Sequence, residues 1–112
     1  MAQEYARGED PIFFHAPVVL VAHVPDDDYF GRDDAIYAAY NLMLAAARMR
    51  LGTCQIGYFI RALSLSRELG RALELPEGRR VEVVLTLGYP QYRFRRAVPR
   101  RRPILVFPAW HS

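Results

Sequence analysis

Residues 33–52 read DDAIYAAYNLMLAAARMRLG, and this stretch decides most of the fold. Apolar side chains recur in it every three or four residues, a spacing that predicts a helix running to about Arg50. Most of the opposite side is small and apolar as well, with Ala35, Ala38, Leu42, Ala45 and Ala46. A helix that is apolar nearly all round is buried on several sides, so we predict a subunit interface here. Asp33 or Asp34 is expected to cap the helix and Gly52 to end it.

The stretches on either side of this helix predict strands and a shorter second helix. Residues 18–24 (VVLVAHV) and 81–87 (VEVVLTL) are rich in β-branched side chains, so we expect a buried strand and a central strand. Residues 64–73 predict the second helix, which the turn at residues 75–78 ends. Residues 104–107 (ILVF) predict a short edge or exchanged strand. This order of elements predicts an α+β fold.

The length and the charge distribution limit the kinds of domain and ligand that this chain can have. The chain has 112 residues, of which 52% are hydrophobic, enough for one packed domain. We expect this domain over residues 11–112, after a disordered lead-in at residues 1–10. All 15 basic side chains are arginines, and the acid-free tail 93–112 carries six of them, whereas residues 1–92 have a net charge of −3. An acidic body with a basic tail indicates an anionic ligand or partner for the tail.

The remaining composition excludes several kinds of site. The single cysteine, Cys54, rules out an intramolecular disulfide and any cysteine-ligated zinc or iron–sulfur centre built from this chain alone. We expect Cys54 to be a small buried side chain. The three histidines are too widely spaced to predict a metal site. No apolar stretch reaches the ~20 residues that a membrane span needs, and residues 1–10 lack an apolar signal core, so we predict a cytoplasmic protein with no membrane partner.

Three short blocks of sequence follow one another in a specific order and spacing. Residues 41–59 read NLMLAAARMRLGTCQIGYF, residues 73–78 read LELPEG, and residues 85–90 read LTLGYP. Together they resemble the C-terminal half of the FMN-dependent nitroreductase family, whose corresponding stretches are NxxLAAxxxGLGTCWIGxF, LGLPEG and ALGYP. The resemblance covers roughly residues 11–102. Residues 92–100 (YRFRRAVPR) further resemble a subgroup that is often fused to a ferredoxin-like iron–sulfur module.

The resemblance implies a nitroreductase-like sheet flanked by helices, and a domain that is incomplete. The family carries an Arg-rich FMN-binding motif in its N-terminal half, and no such motif precedes Pro11. We therefore expect this chain to be the C-terminal half of a domain. The family holds FMN across a homodimer interface and passes electrons from the reduced flavin, in a ping-pong cycle, to an electron-poor acceptor such as a nitro compound or a quinone. No catalytic side chain is implied.

The resemblance also implies where the flavin ring lies. The backbone N–H of Gly57 would face N5 of the ring, since a glycine has no side chain to block the close approach of its backbone. Ile56 and Tyr58 would lie against the ring, and Gln55 would line it together with Ile56. A turn between two helices would explain the same glycine without a flavin.

The basic loop after the second predicted strand supplies candidates for the phosphate of FMN. Arg93 and Arg95 lie just past that strand, where the family places a basic pair, and a guanidinium matches phosphate oxygens in a bidentate fashion. Arg96 is a third candidate. A solvated loop, or ion pairs with the acidic loop 26–28 of a neighbouring chain, would explain these arginines equally well.

Two other functions are compatible with the sequence. The chain can be a non-catalytic dimerising remnant that keeps the helix interface and no longer binds flavin. Alternatively, the tail 93–102 can bind nucleic acid, with Tyr92, Phe94 and Trp110 available to stack on bases. The acidic body argues against this last function, so we predict no nucleic-acid partner.

Overall fold

The structure, a computed structural model, describes residues 7–109. These residues form, in chain order, β1 Val18–Pro25, α1 Gly31–Arg48, β2 Gly52–Gln55, α2 Gly57–Leu65, α3 Arg67–Ala72 and β3 Arg79–Gly88. The predicted α+β class is confirmed. Most of the lead-in predicted at residues 1–10 lies outside the described residues. Among the described helices, none has the length and apolar character that crossing a bilayer requires.

The sheet is antiparallel, and β3 is its central strand. The strand order is β1-β3-β2. Val18 pairs with Leu87 on one side of β3, and Gly52 pairs with Gly88 on the other. The starts of β1 and β2 therefore meet the end of β3 at one end of the sheet. Val84, in the middle of β3, is fully buried, which confirms the central position predicted for residues 81–87.

Helix α1 packs on one face of the sheet through small side chains. Gly31 lets the start of the helix approach β1, because a Cβ at this position would lie 2.8 Å from Val24 Cγ2. The buried cluster on this face consists of Val24, Ala35, Ala39, Val83 and Leu85. Side chains alternate along a strand, so Val84 faces the opposite side of the sheet.

The outer face of α1 is uncovered in the single chain. Only Gly31, Ala35, Ala39 and Ala46 of this helix are buried. The large apolar side chains of this outer face are exposed over 44–70% of their surface, namely Ile36, Tyr37, Tyr40 and Leu44. The burial on several sides that the sequence predicts is therefore not met within one chain, because residues 7–109 provide no second layer over this face. The subunit interface stays a prediction.

Both predicted ends of α1 are corrected by the structure. Asp33 and Asp34 lie in the first turn, where their charges favour the positive end of the helix dipole, and neither caps the helix. The residue at the N-cap is Phe30, whose N–H donates to the Asp28 carboxylate at 3.0 Å. Gly52 does not end the helix, since it already belongs to β2 and the chain turns earlier.

Three further segments differ from expectation. The predicted helix at residues 64–73 corresponds to α3, whereas α2 was not predicted, and the extended Ser66 (φ −139°, ψ 115°) separates the two helices. Strand β2 was not predicted, since a four-residue run shows no clear alternation. Residues 104–107 are not an edge strand, because no described strand pairs with them and their side chains are exposed, whereas an exchanged strand, which needs a partner chain, stays a prediction.

Candidate functional site

A first cleft opens at the end of the sheet where β1, β2 and β3 meet. It has a volume of about 440 Å³ and lies between the turn that precedes β1, strand β2 and the last residues of β3. Its lining residues are Phe13, Phe14, His15, Ala16, Pro17, Gly52, Thr53, Cys54, Ile56, Thr86, Leu87, Gly88 and Tyr89.

The turn on one side of this cleft is organised by Asp10. Its carboxylate accepts hydrogen bonds from the backbone N–H groups of Phe13 (2.9 Å), Ile12 (3.1 Å) and His15 (3.2 Å). These bonds, the one from Phe13 foremost, hold the pKa of the Asp10 carboxyl below its ordinary value. Phe14 and His15 adopt left-handed backbone angles (φ 51° and 57°), which side-chain-bearing residues rarely adopt.

The junction of β2 and α2 carries the residues that the sequence predicts at the flavin ring. Gln55 ends β2, and its Nε2 donates to Sδ of Met43 at 3.6 Å. The N–H of Ile56 donates to the Val84 carbonyl at 2.8 Å, which ties the junction to β3. Of these residues, Ile56 lines the first cleft. Tyr58 is more than half exposed.

Gly57 begins α2, and its surroundings are open. No side chain caps this helix, so the first backbone N–H groups of α2 have no capping partner among residues 7–109. A Cβ placed on Gly57 would meet no atom within 4 Å. The structure thus presents backbone donors beside space that the described chain does not fill.

A second cleft, of about 820 Å³, lies at the C-terminal end of α1. It shares Gly52 and Tyr89 with the first cleft. Arg93 lines it, whereas Arg95 does not, although both side chains are exposed. The full lining consists of Ala47, Arg50, Leu51, Gly52, Tyr89, Pro90, Gln91, Tyr92, Arg93 and Phe94.

Arg50 is the cleft residue that sequence reasoning missed. It follows α1 with φ 62°, and it terminates the helix in the manner expected of Gly52. The N–H of Arg50 donates to the Ala47 carbonyl at 3.0 Å, and the N–H of Leu51 donates to the Ala46 carbonyl at 2.8 Å. This is the Schellman pattern, in which the left-handed residue is usually glycine. The signal was available, since the family stretch quoted above has glycine at the position of Arg50.

Cys54 differs from its predicted environment. Its side chain is exposed and lines the first cleft, because it lies on the short edge strand β2 and no other described element covers it. Its thiol makes one weak contact, with the Gln55 carbonyl at 3.7 Å.

Solved structures share this fold. A nitroreductase with bound FMN from Bacteroides fragilis aligns with a TM-score of 0.71 and 20% identity, covering 95% of this chain and 60% of that one. An oxidized iodotyrosine deiodinase bound to FMN and 3-iodo-L-tyrosine aligns with a TM-score of 0.67 and 22% identity, covering 97% of this chain and 58% of that one. The chain thus spans about three fifths of the length of these proteins.

The two sequence comparisons give different results. A search of curated proteins gives no match. Residues 1–89, however, match the model of the nitroreductase family, which confirms the resemblance that the sequence blocks indicate. This chain belongs to the nitroreductase family.

Proposed function

We propose that this chain binds FMN and forms part of a nitroreductase-like oxidoreductase site that passes electrons to an electron-poor acceptor, such as a nitro compound or a quinone. The observation that carries the proposal is the start of α2 at Gly57, where no side chain caps the helix and an added Cβ would meet no atom within 4 Å. The choice of cofactor is supported by the membership of this chain in the nitroreductase family and by the two FMN-bound proteins of the same fold.

The donors at the start of α2 fit the edge of a flavin ring. The ring carries acceptors at N5 and O4, and a helix start offers backbone N–H donors together with a positive dipole. Gly57 would donate its N–H toward N5, while Gln55, Ile56 and Tyr58 would line the ring. When bound, FMN supplies the hydride and electron transfer. The chain contributes binding, orientation and the exclusion of water, and we assign no acid or base to it.

Arg93 and Arg95 are proposed to hold the phosphate. Both guanidiniums are exposed and free of acidic partners among the described residues, so both are available to an anion. Arg93 has the stronger support because it lines a cleft, whereas Arg95 lies outside it.

We also propose that the chain acts as a cytoplasmic homodimer. The exposed apolar face of α1 supports this, because a contiguous set of large apolar side chains indicates a protein interface. The exposed apolar side chains of residues 104–107 are a second surface that a partner chain would cover.

Titration of the full chain with FMN, followed by flavin absorbance and fluorescence, tests the proposal. Gly57→Ala and Gly70→Ala form a matched pair, since each adds one methyl group that meets nothing within 4 Å. We expect Gly57→Ala to weaken FMN binding about tenfold, because the methyl group takes the space of the ring, and Gly70→Ala to leave it unchanged.

The acceptor is tested on the reduced complex. Oxidation of the bound reduced flavin by a nitroaromatic compound or a quinone is the expected result. A colourless protein whose absorbance and fluorescence do not respond to FMN would contradict the proposal, and it would favour the non-catalytic dimerising remnant.

A further inference from the structure

We propose that Arg50 and Arg93 form a phosphate-binding pair in the second cleft, which accepts the phosphate group of a nucleotide-like ligand with a planar ring. The part of the inference that concerns flavin rests on the function proposed above. Arg50 is the new element. The family stretch has glycine at its position, so the resemblance implies no ligand for this side chain.

The backbone of Arg50 is the first observation. It holds φ 62° at a helix end where glycine is the usual residue and where the family stretch has glycine. A left-handed conformation is unfavourable for any residue with a Cβ, and such strain concentrates at functional sites. Glu74 shares this backbone feature, so the role of the Arg50 side chain rests on the cleft that it lines.

The chemistry of the cleft is the second observation. Two of its lining residues are arginines and none is acidic. Within residues 7–109, neither the Arg50 nor the Arg93 guanidinium has a hydrogen bond or an ion pair with the protein. Two unpaired guanidiniums match the charge of a phosphate, which is close to −2 at neutral pH.

The helix end does not oppose an anion as strongly as a free helix C-terminus would. The Ala46 carbonyl accepts from the N–H groups of Met49 and Leu51, and the Ala47 carbonyl accepts from the N–H of Arg50. These carbonyls are occupied by the turn that carries Arg50, so their partial negative charge is partly offset.

Aromatic side chains in the same cleft indicate a ligand with a ring. Tyr89, Tyr92 and Phe94 line it, and they expose 77–95% of their surface. A volume of about 820 Å³ is within the range of sites that hold ligands of nucleotide size. Stacking on such rings is tolerant of base or ring type, so the phosphate comes either from FMN or from a second nucleotide.

Equilibrium binding by calorimetry on the full chain tests the pair, with FMN, riboflavin and AMP as probes. Riboflavin differs from FMN only in lacking the phosphate. The variants are Arg50→Gln and Arg93→Gln, and Arg48→Gln is the control, because it removes the same charge two residues away without lining the cleft.

We expect Arg50→Gln and Arg93→Gln each to weaken binding of the phosphate-bearing probe by about tenfold or more, with riboflavin binding unchanged. Arg48→Gln should bind as the parent chain does. A loss confined to FMN assigns the phosphate to the flavin, and a loss confined to AMP assigns it to a second nucleotide.

The pair is overturned if Arg50→Gln binds both phosphate-bearing probes as tightly as the parent chain, or if Arg48→Gln shows the same loss. A chain that binds neither flavin contradicts the proposed function, and AMP binding that depends on Arg50 would still support the pair. Absence of binding to all three probes overturns both.

Discussion

The rings of Phe13 and Phe59 meet edge to face, with their centroids 5.0 Å apart and an interplanar angle of 61°. Phe59 lies on α2 and is buried, whereas Phe13 belongs to the turn that borders the first cleft. This contact joins the turn before β1 to the helix whose first residue is Gly57. The shape of the cleft therefore depends on packing between segments that lie 46 positions apart in the sequence.

The first prediction concerns this ring contact. Phe13→Leu should lower the free energy of unfolding by about 1 kcal/mol, since an edge-to-face pair adds to the burial of the ring. The neighbouring Phe14→Leu is the control, because Phe14 is 76% exposed, and it should change stability by less than about 0.5 kcal/mol. Urea denaturation measures both. Equal effects of the two variants would contradict a specific role for the Phe13–Phe59 pair.

The second prediction concerns the pH dependence of the turn. Hydrogen bonds from Phe13 first, and from His15 and Ile12, lower the pKa of Asp10 in the folded chain. The stabilisation is therefore present above the ordinary value of 3.8, and it is lost as the pH falls through the lowered pKa of the folded state. We expect amide hydrogen exchange at these three residues to be slower in the parent chain than in Asp10→Asn at pH 6.

This difference should shrink as the pH falls through the lowered pKa of Asp10, because the parent carboxyl then becomes protonated as well. The same exchange rates in both chains at pH 6 would show that the Asp10 charge does not organise the turn.

The third prediction separates strain from function at two helix ends. Arg50 and Glu74 both follow a helix with positive φ, 62° and 54°. Replacing either residue with glycine removes the unfavourable Cβ contact, so Arg50→Gly and Glu74→Gly should each raise the free energy of unfolding by about 0.5–1 kcal/mol. Only Arg50→Gly should also weaken phosphate binding. If both substitutions destabilise the chain, the side chains contribute packing that outweighs the strain.

The fourth prediction concerns the loop between β1 and α1. Arg80 donates to the carbonyls of Pro25 (2.9 Å), Asp26 (2.7 Å) and Asp28 (2.9 Å), and its Nε donates to Glu82. A lysine ammonium cannot span these acceptors, so Arg80→Lys should lower the free energy of unfolding by about 1–2 kcal/mol. The exposed Arg32→Lys should have an effect below about 0.5 kcal/mol in the same urea titration. A comparable loss in both variants would argue against the carbonyl contacts.

The fifth prediction concerns the uncovered face of α1. Tyr40→Arg places a charge on this face where the side chain is 57% exposed, so the fold of one chain should tolerate it. We expect it to convert a dimer into a monomer in light scattering, because a charge in the centre of an apolar interface is costly. Tyr29→Arg, in the exposed loop before α1, is expected to remain dimeric. A parent chain that is already monomeric would contradict the proposed dimer.

The sequence by itself determined the main strands, the long helix and the family. These features follow from local patterns, namely the runs of β-branched residues at 18–24 and 81–87 and the helical spacing at 33–50. Local conformational preference is strong in long segments. The Gln55–Tyr58 motif was recognisable for the same reason, since its residues are adjacent in the chain. The function of this motif toward FMN stays a prediction.

Only the tertiary structure decided the short and non-local features. Strand β2 has four residues and exists because β3 provides its hydrogen-bond partners, whereas residues 104–107 have the composition of a strand and no described partner. The clefts arise in the same way, since Arg50 and Arg93 are 43 positions apart and line one cavity only because Gly52 pairs with Gly88. Pairing and cavity shape depend on contacts between distant residues, and such contacts leave no periodicity in the sequence.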